Sequence, residues 1–554
     1  MVQPSMTPWQ RLLGLLQLER KDILQIFYYA IFSGVISLSL PLGIQAIINL
    51  IQGAQVSTSW IVLVTLVTLG VAFAGALQLM QLRIIETIQQ RIFTRSSFEL
   101  SYRFPKIKMS ELRNYYPPEL ANRFFDTLTI QKSLSKILID VPTAVLQILF
   151  ALILLSFYHP FFIIFGLLLL VLIFVVFKFT AKKGLDTSLK ESKNKYKVAH
   201  WIQEIARSVI SFKLSGSTSL GISKNDDLVN DYLKARESHF KVLILQYIQM
   251  ISFKVIVTAS LLLIGGALVL NQEMNIGQFV AAEIIILLVI ASVEKLILGL
   301  ESFYDTLTSL EKIGQIVDKK MESQDGEAPQ FNKGIHIELD HVTYEVSNRD
   351  KHILKDIQLK IEPNSRILVK GESGSGKSTL LRLISGVVQP TSGNLYVNDM
   401  SINSLHLNFY RSQLGLSLSD ETPFEGTIKD NLTFGNPTIS DEDIHDVLNK
   451  VGLKNFIKEQ PNGLKTILYP DGRQMSFTLA KKIVLARAIL KKPKVLILED
   501  ALDRFNKGET SAIIDYLTHK DQPWALVVVS SSDGWANKCS EVITLEKGIV
   551  KTKK

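Results

Sequence analysis

Cysteine is almost absent from the sequence, which has one, Cys539, in 554 residues. A single cysteine excludes an internal disulfide and a zinc site built from several cysteines. Apart from Cys539, no thiol is present to serve as the nucleophile of a cysteine-peptidase domain. This composition is expected of a chain whose soluble part faces the reducing cytosol.

Charged residues are also scarce, and they are missing altogether from long stretches. Charged residues make up 20% of the chain and hydrophobic residues 47%, with a mean hydropathy of +0.21. No charged side chain occurs from Ile23 to Leu82, and Val141 to Phe177 carries only His159 as an ionisable group. Two further apolar runs extend over Val242–Leu270 and Ile276–Leu300. Since a membrane-spanning helix needs about 20 apolar residues, these runs predict six crossings arranged as three hairpins.

The basic residues predict the orientation of these helices. The three short connecting segments, Gln52–Ser59, Tyr158–Pro160 and Asn271–Asn275, contain no Lys or Arg, whereas residues 83–140 and 178–241 are rich in both. By the positive-inside rule, the short loops face outward and both termini face the cytoplasm. The net charge of +9 is then explained by topology and by contact with anionic lipid, so no nucleic-acid partner is predicted.

Several ionisable residues interrupt the third hairpin. At 1.5 Å per residue, Lys254 lies roughly 24 Å and Glu294 roughly 27 Å from the outer turn, so we expect them to be able to pair; Glu283 lies only about 10 Å deep. Charges at such depths face a bundle interior or a cavity. They either line a translocation path or form a structural ion pair.

The first 22 residues lack the features of a cleaved secretory signal. Trp9 and several leucines alternate with Arg11 and Arg20. This pattern favours a helix lying in the membrane interface, with a soluble amphipathic helix as the alternative.

The helical pattern ends after Val317, and a polar segment with Gly326 and Pro329 follows. We therefore expect a membrane domain over 23–318, a linker over 319–334 and a soluble domain over 335–554. In the last of these, short β-rich runs such as Ile367–Val369 and Val495–Leu498 alternate with helical stretches, which predicts an α/β fold.

A phosphate-binding loop stands at the start of the soluble domain. Its residues match the pattern GxxxxGK[ST] and are Gly371, Glu372, Ser373, Gly374, Ser375, Gly376, Lys377 and Ser378, with Thr379 next. An apolar strand precedes the loop and a helix follows it, which places phosphate on a helix N-terminus. The loop predicts that ATP is bound, with Lys377 on the β- and γ-phosphates and Ser378 on Mg²⁺.

Together with Gly426–Leu432 and Leu485–Leu490, these features resemble an ATP-binding cassette half-exporter over nearly the whole chain. The membrane half is most similar to the branch that exports peptides and proteins, including type I secretion and bacteriocin exporters, without their peptidase domain. The resemblance implies a six-helix membrane domain followed by an α/β P-loop nucleotide-binding domain. It also implies a location in the bacterial plasma (inner) membrane, with a second half-transporter and a periplasmic adaptor as candidate partners.

The same resemblance marks positions at which this sequence departs from the family. Val346 stands where the adenine-stacking aromatic is expected, so stacking is lost or is taken over by Tyr344. Ser419 replaces the glutamine that reaches Mg²⁺. In the segment Met475–Leu479 only Ser476 keeps the signature pattern, because Phe477 and Thr478 replace two glycines.

The Walker B segment is also altered. Glu499 can still bind Mg²⁺ through water, but Asp500 is one methylene shorter than the family's catalytic glutamate. Ser531 replaces the switch histidine, and Asp503-Arg504-Phe505-Asn506 replaces the loop Ser-Ala-Leu-Asp. Positioning of a general base contributes about 10²–10⁴ in rate, so hydrolysis is expected to be slow.

The sequence therefore predicts an exporter subunit that binds ATP and Mg²⁺ but is poorly equipped to hydrolyse ATP. Two alternatives remain: a membrane scaffold that does not transport and keeps ATP for stability, and an active exporter with divergent motifs. The transported substrate, whether peptide, protein, lipid or drug, is not readable from the sequence.

Overall fold

The computed structural model describes residues 6–52, 58–332, 334–346 and 352–553. The chain divides into two compact units. The first comprises Met1–Lys106 and Asn114–Lys319, and the second comprises Ile107–Arg113 and Lys320–Lys554. The short segment 107–113 thus belongs to the second unit, although more than 200 residues of the first unit follow it.

The first unit is helical. Its long apolar helices carry few charges over a membrane's thickness. A helix satisfies its backbone hydrogen bonds within its own segment, as an apolar bilayer requires. The helices up to the linker are α1 (Pro8–Leu18), α2 (Arg20–Ser37), α3 (Ser39–Gln52), α4 (Thr58–Arg103), α5 (Met109–Leu112, which belongs to the second unit), α6 (Pro117–Asn122), α7 (Asp126–Ser156), α8 (Phe161–Arg207), α9 (Val209–Leu214), α10 (Leu220–Ser260), α11 (Gly266–Leu270) and α12 (Ile276–Val317). A π-helical turn, Leu261–Gly265, joins α10 to α11.

Six segments of this unit are long and apolar enough to cross a bilayer, judged by length and composition over the described residues. They are Arg20–Gln52, Thr58–Lys106, Pro117–Ser156, Phe161–Arg207, Leu220–Leu270 and Ile276–Val317. The predicted six-helix membrane domain is therefore confirmed. Of the predicted turns, Tyr158–Pro160 and Asn271–Asn275 separate helices as expected, while residues 53–57 lie outside the described part of the chain.

The helix α12 forms the centre of the unit. Its start is fixed by a capping box, in which the Asn275 side chain accepts from the Gln278 N–H at 2.7 Å and the Gln278 side chain accepts from the Asn275 N–H at 2.9 Å. Its residues Ile285, Val289 and Val293 are fully buried. Such burial excludes water and lipid from the middle of the bundle.

The predicted Lys254–Glu294 pair is wrong. Within the described residues no ion pair joins the two side chains; Lys254 is exposed and Glu294 is half-buried. The reason is the face on which Lys254 lies, since the neighbouring Phe253 and Val257 form the buried stripe that packs against α12. Glu283 is half-buried on the same helix as Glu294.

The amino-terminal helix α1 packs against α12 of the same unit. Leu12 is buried, Arg11 bridges to Asp318, and Trp9 and Leu13 remain exposed. An apolar exposed face next to a docked one is compatible with the interfacial position that the sequence favours.

The second unit is built on three sheets. The strands are β1 (Ile337–Glu345), β2 (His352–Ile361), β3 (Arg366–Lys370), β4 (Ser392–Val397), β5 (Met400–Ser401), β6 (Leu414–Ser417), β7 (Gly426–Thr427), β8 (Ile467–Leu468), β9 (Val495–Glu499), β10 (Ala525–Val529), β11 (Glu541–Glu546) and β12 (Ile549–Lys553). The sheet orders are β2-β1-β4-β5, β12-β11-β3-β10-β9-β6 and β7-β8. The α/β fold predicted from the sequence is confirmed.

Helices cover the six-stranded sheet. They are α13 (Lys377–Ile384), α14 (Leu407–Ser412), α15 (Ile428–Thr433), α16 (Asp441–Lys450), α17 (Lys454–Glu459), α18 (Phe477–Leu490) and α19 (Lys507–Leu517). Strands β3, β10, β9 and β6 run parallel, with Val529 in register with both Val369 and Glu499. Their carboxyl ends therefore meet at one edge, where ligands of open α/β sheets bind.

The segment 107–113 adds to this unit through its backbone and one side chain. Ile107 pairs with Met321 as an isolated antiparallel bridge, and the Lys108 N–H donates to the Lys320 carbonyl at 3.0 Å. The Arg113 guanidinium donates to the Tyr344 hydroxyl. No local sequence pattern indicates these pairings, because each joins residues more than 200 positions apart.

Candidate functional site

The phosphate loop leaves the end of β3 and enters α13 through residues that require glycine. Gly376 has φ +102°, and a Cβ there would lie 2.7 Å from a methyl carbon of Leu354 and 2.9 Å from the Ile353 carbonyl oxygen. At Gly371 a Cβ would lie 2.3 Å from the Leu545 carbonyl oxygen. At Gly371 and Gly376 the loop packs so closely against β2 and β11 that no side chain fits. The loop backbone can therefore curve tightly, with N–H groups that can bind an anion.

Lys377 lies across this loop. Its ammonium donates to the carbonyl oxygens of Gly371 and Glu372, both at 2.8 Å. Ser378 and Thr379 follow in the first turn of α13, half-buried. The structure therefore brings the predicted loop residues together around one helix N-terminus.

Ser375 anchors the loop from below. It is 3% exposed, its carbonyl accepts from the Gly548 N–H at 3.0 Å, and its own N–H donates to the Glu372 carbonyl at 3.2 Å. These bonds fix the loop's shape independently of any ligand.

Two cavities adjoin the loop. The larger, of about 700 Å³, is lined by Lys370, Gly371, Ser373, Lys377, Ser419, Phe477, Asp500, Asp503, Arg504, Ser530 and Ser531. The smaller, of about 340 Å³, is lined by His352, Ile353, Glu372, Ser373, Gly374, Ser375, Glu546 and Lys547. The larger cavity is lined by the loop lysine Lys377, by the predicted catalytic positions Asp500 and Ser531, and by Phe477 of the signature segment. Its volume is sufficient for a small organic ligand.

Glu499 ends the fully buried strand β9 and is itself 3% exposed. One of its carboxylate oxygens accepts two bonds from Ser419, from the backbone N–H at 3.1 Å and from the hydroxyl at 3.0 Å. Ser419 therefore has a role that the sequence did not predict: it orients the candidate metal ligand.

Asp500 follows Glu499 with φ +47°, a left-handed backbone that aspartate tolerates. Its pKa is raised, first by burial and then by the neighbouring carboxylates of Asp503 and Glu499. Asp500 is also one methylene shorter than a glutamate, so its carboxylate reaches less far towards a water molecule in the cavity.

Asp503 also binds the two serines after β10. Its carboxylate accepts from the Ser530 hydroxyl at 2.7 Å and from the Ser531 hydroxyl at 3.2 Å. The predicted switch position, Ser531, is thus tied to Asp503 and cannot supply a cationic or imidazole group. From the sequence, Asp503 is recognisable only as part of a replaced loop; the signal for its role is the pair of adjacent serines after a buried strand.

The signature segment begins α18. Ser476 is the N-cap residue, with its hydroxyl accepting from the Leu479 N–H at 3.3 Å. The guanidinium of Arg504 lies over the ring of Phe477, with its central carbon 4.5 Å from the ring centroid. Ser476 is therefore engaged as a cap, and Phe477 extends an aromatic ring into the larger cavity.

Lys481 is the residue that sequence reasoning missed most clearly. It is 3% exposed, and its ammonium donates to the carbonyl oxygens of Leu418, Ser419 and Glu421 at 2.8, 2.7 and 3.0 Å. Burial lowers its pKa. Lys481 thus ties α18 to the loop that carries Ser419.

Tyr344 lies in β1, where it pairs with Leu354 of β2. Its ring is 9% exposed within the sheet core and its hydroxyl is bonded to Arg113. It lines neither cavity beside the loop. We therefore leave Tyr344 out of the proposed nucleotide site.

A six-helix membrane unit joined to a phosphate-loop unit of this kind defines the class of membrane proteins with a nucleotide-binding domain. Comparison with family models places the chain within that class. Residues 23–293 match the ABC transporter transmembrane region, and residues 354–503 match the ABC transporter domain. The chain therefore belongs to the ABC transporters, and the two matches cover most of its membrane unit and the phosphate-loop part of its second unit.

Curated relatives match over part of the chain. The alpha-hemolysin translocation ATP-binding protein HlyB of Escherichia coli O157:H7 is 26% identical over 307 residues, which is 55% of this chain and 43% of that protein. The human ATP-binding cassette sub-family B member 5 is 28% identical over 246 residues, 44% of this chain and 20% of that protein. The matched part thus spans less than half the length of either relative.

A solved structure matches over nearly the whole chain. The structure of a bacterial Atm1-family ABC exporter with ATP bound superposes with a TM-score of 0.86, covering 97% of this chain and 95% of that one, at 15% identity. At that identity the likeness establishes the fold alone.

Proposed function

We propose that this chain is one subunit of an export complex and that it binds Mg²⁺–ATP but hydrolyses it slowly. The observation that supports the proposal most directly is that one cavity contains both an intact phosphate-binding loop and altered hydrolytic positions. The glycine-packed loop with Lys377 is intact, while the groups that would activate water are short, paired or replaced.

The residues present fit the nucleotide. The cradle at Gly376 would be blocked by a Cβ, and the loop amides and Lys377 surround a place suited to phosphate at the start of α13. A lysine at this point acts as a fixed positive charge on the β- and γ-phosphates. Gly371, Glu372, Ser373, Gly374, Ser375, Gly376, Lys377, Ser378 and Thr379 therefore form the proposed nucleotide site.

The residues also fit Mg²⁺, which takes oxygen ligands and keeps several waters. Ser378 offers a hydroxyl, and Glu499 offers a carboxylate of which one oxygen is held by Ser419. Among the described residues no group of three or more His, Cys, Asp or Glu is arranged to hold a metal ion, which agrees with a site completed by phosphate and water.

Hydrolysis needs a base that accepts a proton from water. Asp500 is one methylene shorter than the family's glutamate, and Ser531, in place of the family's histidine, donates its hydroxyl to Asp503. Phe477 and Thr478 add side chains where the family's signature has glycine. The resemblance to ABC transporters implies that each nucleotide is held between the phosphate loop of one subunit and the signature segment of a second half-transporter. A fully equipped partner would therefore still have its own phosphate loop facing the altered segment Met475–Leu479 of this chain.

The substrate and partners belong to the same proposal. The similarity to HlyB, whose name describes translocation of alpha-hemolysin, favours the peptide and protein branch, with a second half-transporter and a periplasmic adaptor as partners. The basic residues of 83–140 and 178–241 support an inner-membrane location with the nucleotide-binding domain in the cytoplasm.

The test is ATP turnover by the purified chain in lipid nanodiscs, with Lys377→Ala as the matched variant. We expect turnover far below one per second, while ATP protects the wild-type chain from thermal unfolding. A rate of several turnovers per second that the K377A variant abolishes would contradict slow hydrolysis. A rate unchanged by K377A would indicate a contaminating ATPase and require repurification.

A non-transporting scaffold that keeps ATP for stability is the second candidate, since bound ligand adds RT ln(1 + [L]/Kd) to folding. Transport into inverted vesicles containing the chain and its genomic neighbours separates the two. Export that requires Lys377 supports the exporter.

A further inference from the structure

We propose that the first unit contains a binding site for a phosphate-bearing organic anion, separate from the nucleotide site. The site is a cavity of about 1190 Å³ near the ends of the long helices. It is lined by Met6, Thr7, Pro8, Tyr115, Glu119, Arg123, Leu189, Lys193, Tyr196, Lys197, His200, Trp201, Glu204, Lys224, Leu228, Glu311, Lys312 and Gln315. All of these residues lie in the first unit.

Two buried cations form the floor of this cavity, which we call the basic cavity. Arg123 is 8% exposed and Lys312 is 7% exposed. Burying a cation is costly unless a counter-charge is near. The floor of the basic cavity is therefore a place where an anion would be stabilised.

These cations are incompletely paired within the protein. Arg123 donates through one terminal nitrogen to the Gln315 side chain at 2.5 Å, while its buried Nε has no hydrogen-bond partner among the described residues. The ammonium of Lys312 lies 5.1 Å from the centroid of the Tyr196 ring. In the part of the chain that the structure describes, no carboxylate lies within 4 Å of that ammonium.

A buried carboxylate near the two cations, Asp126, is already engaged. Asp126, 5% exposed, accepts a hydrogen bond from the Tyr196 hydroxyl. Tyr196 thus separates Asp126 from the cavity and presents its ring to Arg123 and Lys312. Asp126 offsets part of the buried positive charge and leaves the cavity side of both cations available.

The rim adds further positive charge. Lys193, Lys197 and Lys224 are exposed there, and Lys224 lies 4.1 Å from the centroid of the Trp201 ring. Two of the three glutamates of the lining have arginines nearby: Glu204 is held by Arg207 at 2.6 Å, and Glu311 lies 3.9 Å from Arg11. The third, Glu119, lies 3.2 Å from a ring nitrogen of His200. The field inside the basic cavity is therefore positive.

The chemistry points to phosphate attached to an organic group. Arginine and lysine together suit a phosphate, to which arginine donates in parallel and lysine adds a point charge. Tyr115, Tyr196 and Trp201 give the wall an apolar and aromatic part, and the volume exceeds that of a bare phosphate several-fold. The headgroup of an anionic phospholipid and a soluble organic phosphate share this chemistry.

The experiment uses the full chain carrying Lys377→Ala, so that phosphate bound by the nucleotide loop does not contribute. The chain is reconstituted in phosphatidylcholine nanodiscs, and its thermal unfolding is measured with inorganic phosphate, with glycerol phosphate, and with phosphatidylglycerol in the disc. Equilibrium dialysis with radiolabelled glycerol phosphate measures binding directly. A response to the lipid alone identifies a headgroup site, and a response to glycerol phosphate identifies a soluble ligand.

Five variants locate the site: two at its floor, two at its rim and one control outside it. Lys312→Met and Arg123→Gln should each raise the dissociation constant of the bound phosphate compound at least about tenfold, equivalent to about 1.4 kcal/mol of binding free energy. Lys190→Met, which removes an exposed lysine of α8 outside the cavity, should leave it unchanged. Because K312M or R123Q could misfold, Lys193→Met and Lys197→Met at the exposed rim provide variants expected to weaken binding without disturbing the core.

The proposal is overturned if none of the three phosphate sources raises the unfolding temperature. It is equally overturned if the rim variants K193M and K197M bind the phosphate compound as tightly as the control K190M does. It is also overturned if a structure of the assembled transporter shows side chains of a partner subunit filling the basic cavity.

Discussion

Ser419 donates two hydrogen bonds to a single oxygen of Glu499, from its backbone N–H at 3.1 Å and from its hydroxyl at 3.0 Å. Glu499 is 3% exposed, so its charge needs such donors. The family position that carries a glutamine thus holds a shorter side chain with a different task. It fixes the orientation of the candidate metal ligand within the protein.

Replacing Ser419 with alanine should destabilise the second unit. Because the lost hydroxyl donates to a charged acceptor, the expected cost is about 1.5–3 kcal/mol in the free energy of unfolding, moderated by the remaining N–H bond. The measurement is the urea concentration at which Cys539 becomes reactive, and the control is Ser412→Ala, which removes an exposed hydroxyl bonded to the Phe409 carbonyl. Equal midpoints for the two variants would show that the Ser419 hydroxyl contributes nothing.

Cys539 should be inert in the folded protein. Burial raises the pKa of its thiol to about 11, and the thiolate is the reactive form. At neutral pH we expect maleimide labelling of the native chain to be far slower than that of the urea-unfolded chain, measured by mass spectrometry. Rapid, complete labelling under native conditions would contradict the protection expected of this half-buried thiol and would remove Cys539 as a reporter.

Replacing Lys481 with methionine should be among the most damaging changes in the second unit. It leaves the carbonyl oxygens of Leu418, Ser419 and Glu421 without their shared donor, at an expected cost of about 3 kcal/mol or more. Lys492→Met is the control. The Lys492 side chain, which pairs with Asp443, is 72% exposed, so its loss should lower the free energy of unfolding by less than about 1 kcal/mol. A K481M variant as stable as K492M would show that the three bonds are dispensable.

Replacing Asp500 with asparagine should stabilise the fold at neutral pH. The pKa of Asp500 is raised, so the folded state binds more protons than the unfolded state just above the ordinary aspartate pKa, and stability is lost as pH rises through that range. Asparagine tolerates the same left-handed backbone and carries no charge to repel Asp503. The gain should be at most about 1 kcal/mol, because solvent screens this partly exposed group.

The pH dependence of this gain is the diagnostic. Urea midpoints measured from about pH 7 down to about pH 4 should converge for D500N and the wild type, because Asp500 itself becomes neutral. Asp521→Asn, at an exposed position, is the matched control. A gain that persists unchanged at acid pH would contradict the proposed repulsion.

The parts of the fold that the sequence predicted are those with local signals. Charge-free runs such as Ile23–Leu82 mark spans without any knowledge of their neighbours. The phosphate loop is recognisable because Gly371 to Ser378 are consecutive and lie between a strand and a helix. The structure confirms the six helices and the α/β unit that these local signals predict.

The parts that the sequence did not predict depend on contacts between distant residues. Lys481 reaches carbonyl oxygens about 60 positions earlier, and Asp503 binds serines 27 and 28 positions later. Neither residue belongs to a local pattern. The expected Lys254–Glu294 pair failed for a related reason: counting residues along a helix gives depth but not the face on which a side chain lies.

The most direct test of the account follows bound ATP and released phosphate in one sample. The purified chain in nanodiscs is mixed with Mg²⁺ and γ-labelled ATP, and nucleotide retained on the protein and free phosphate are measured over time. We predict near-stoichiometric retention of intact ATP, lost in the Lys377→Ala variant, with phosphate appearing far more slowly than one turnover per second. Failure to retain ATP, or release of phosphate at several turnovers per second, would contradict the central claim.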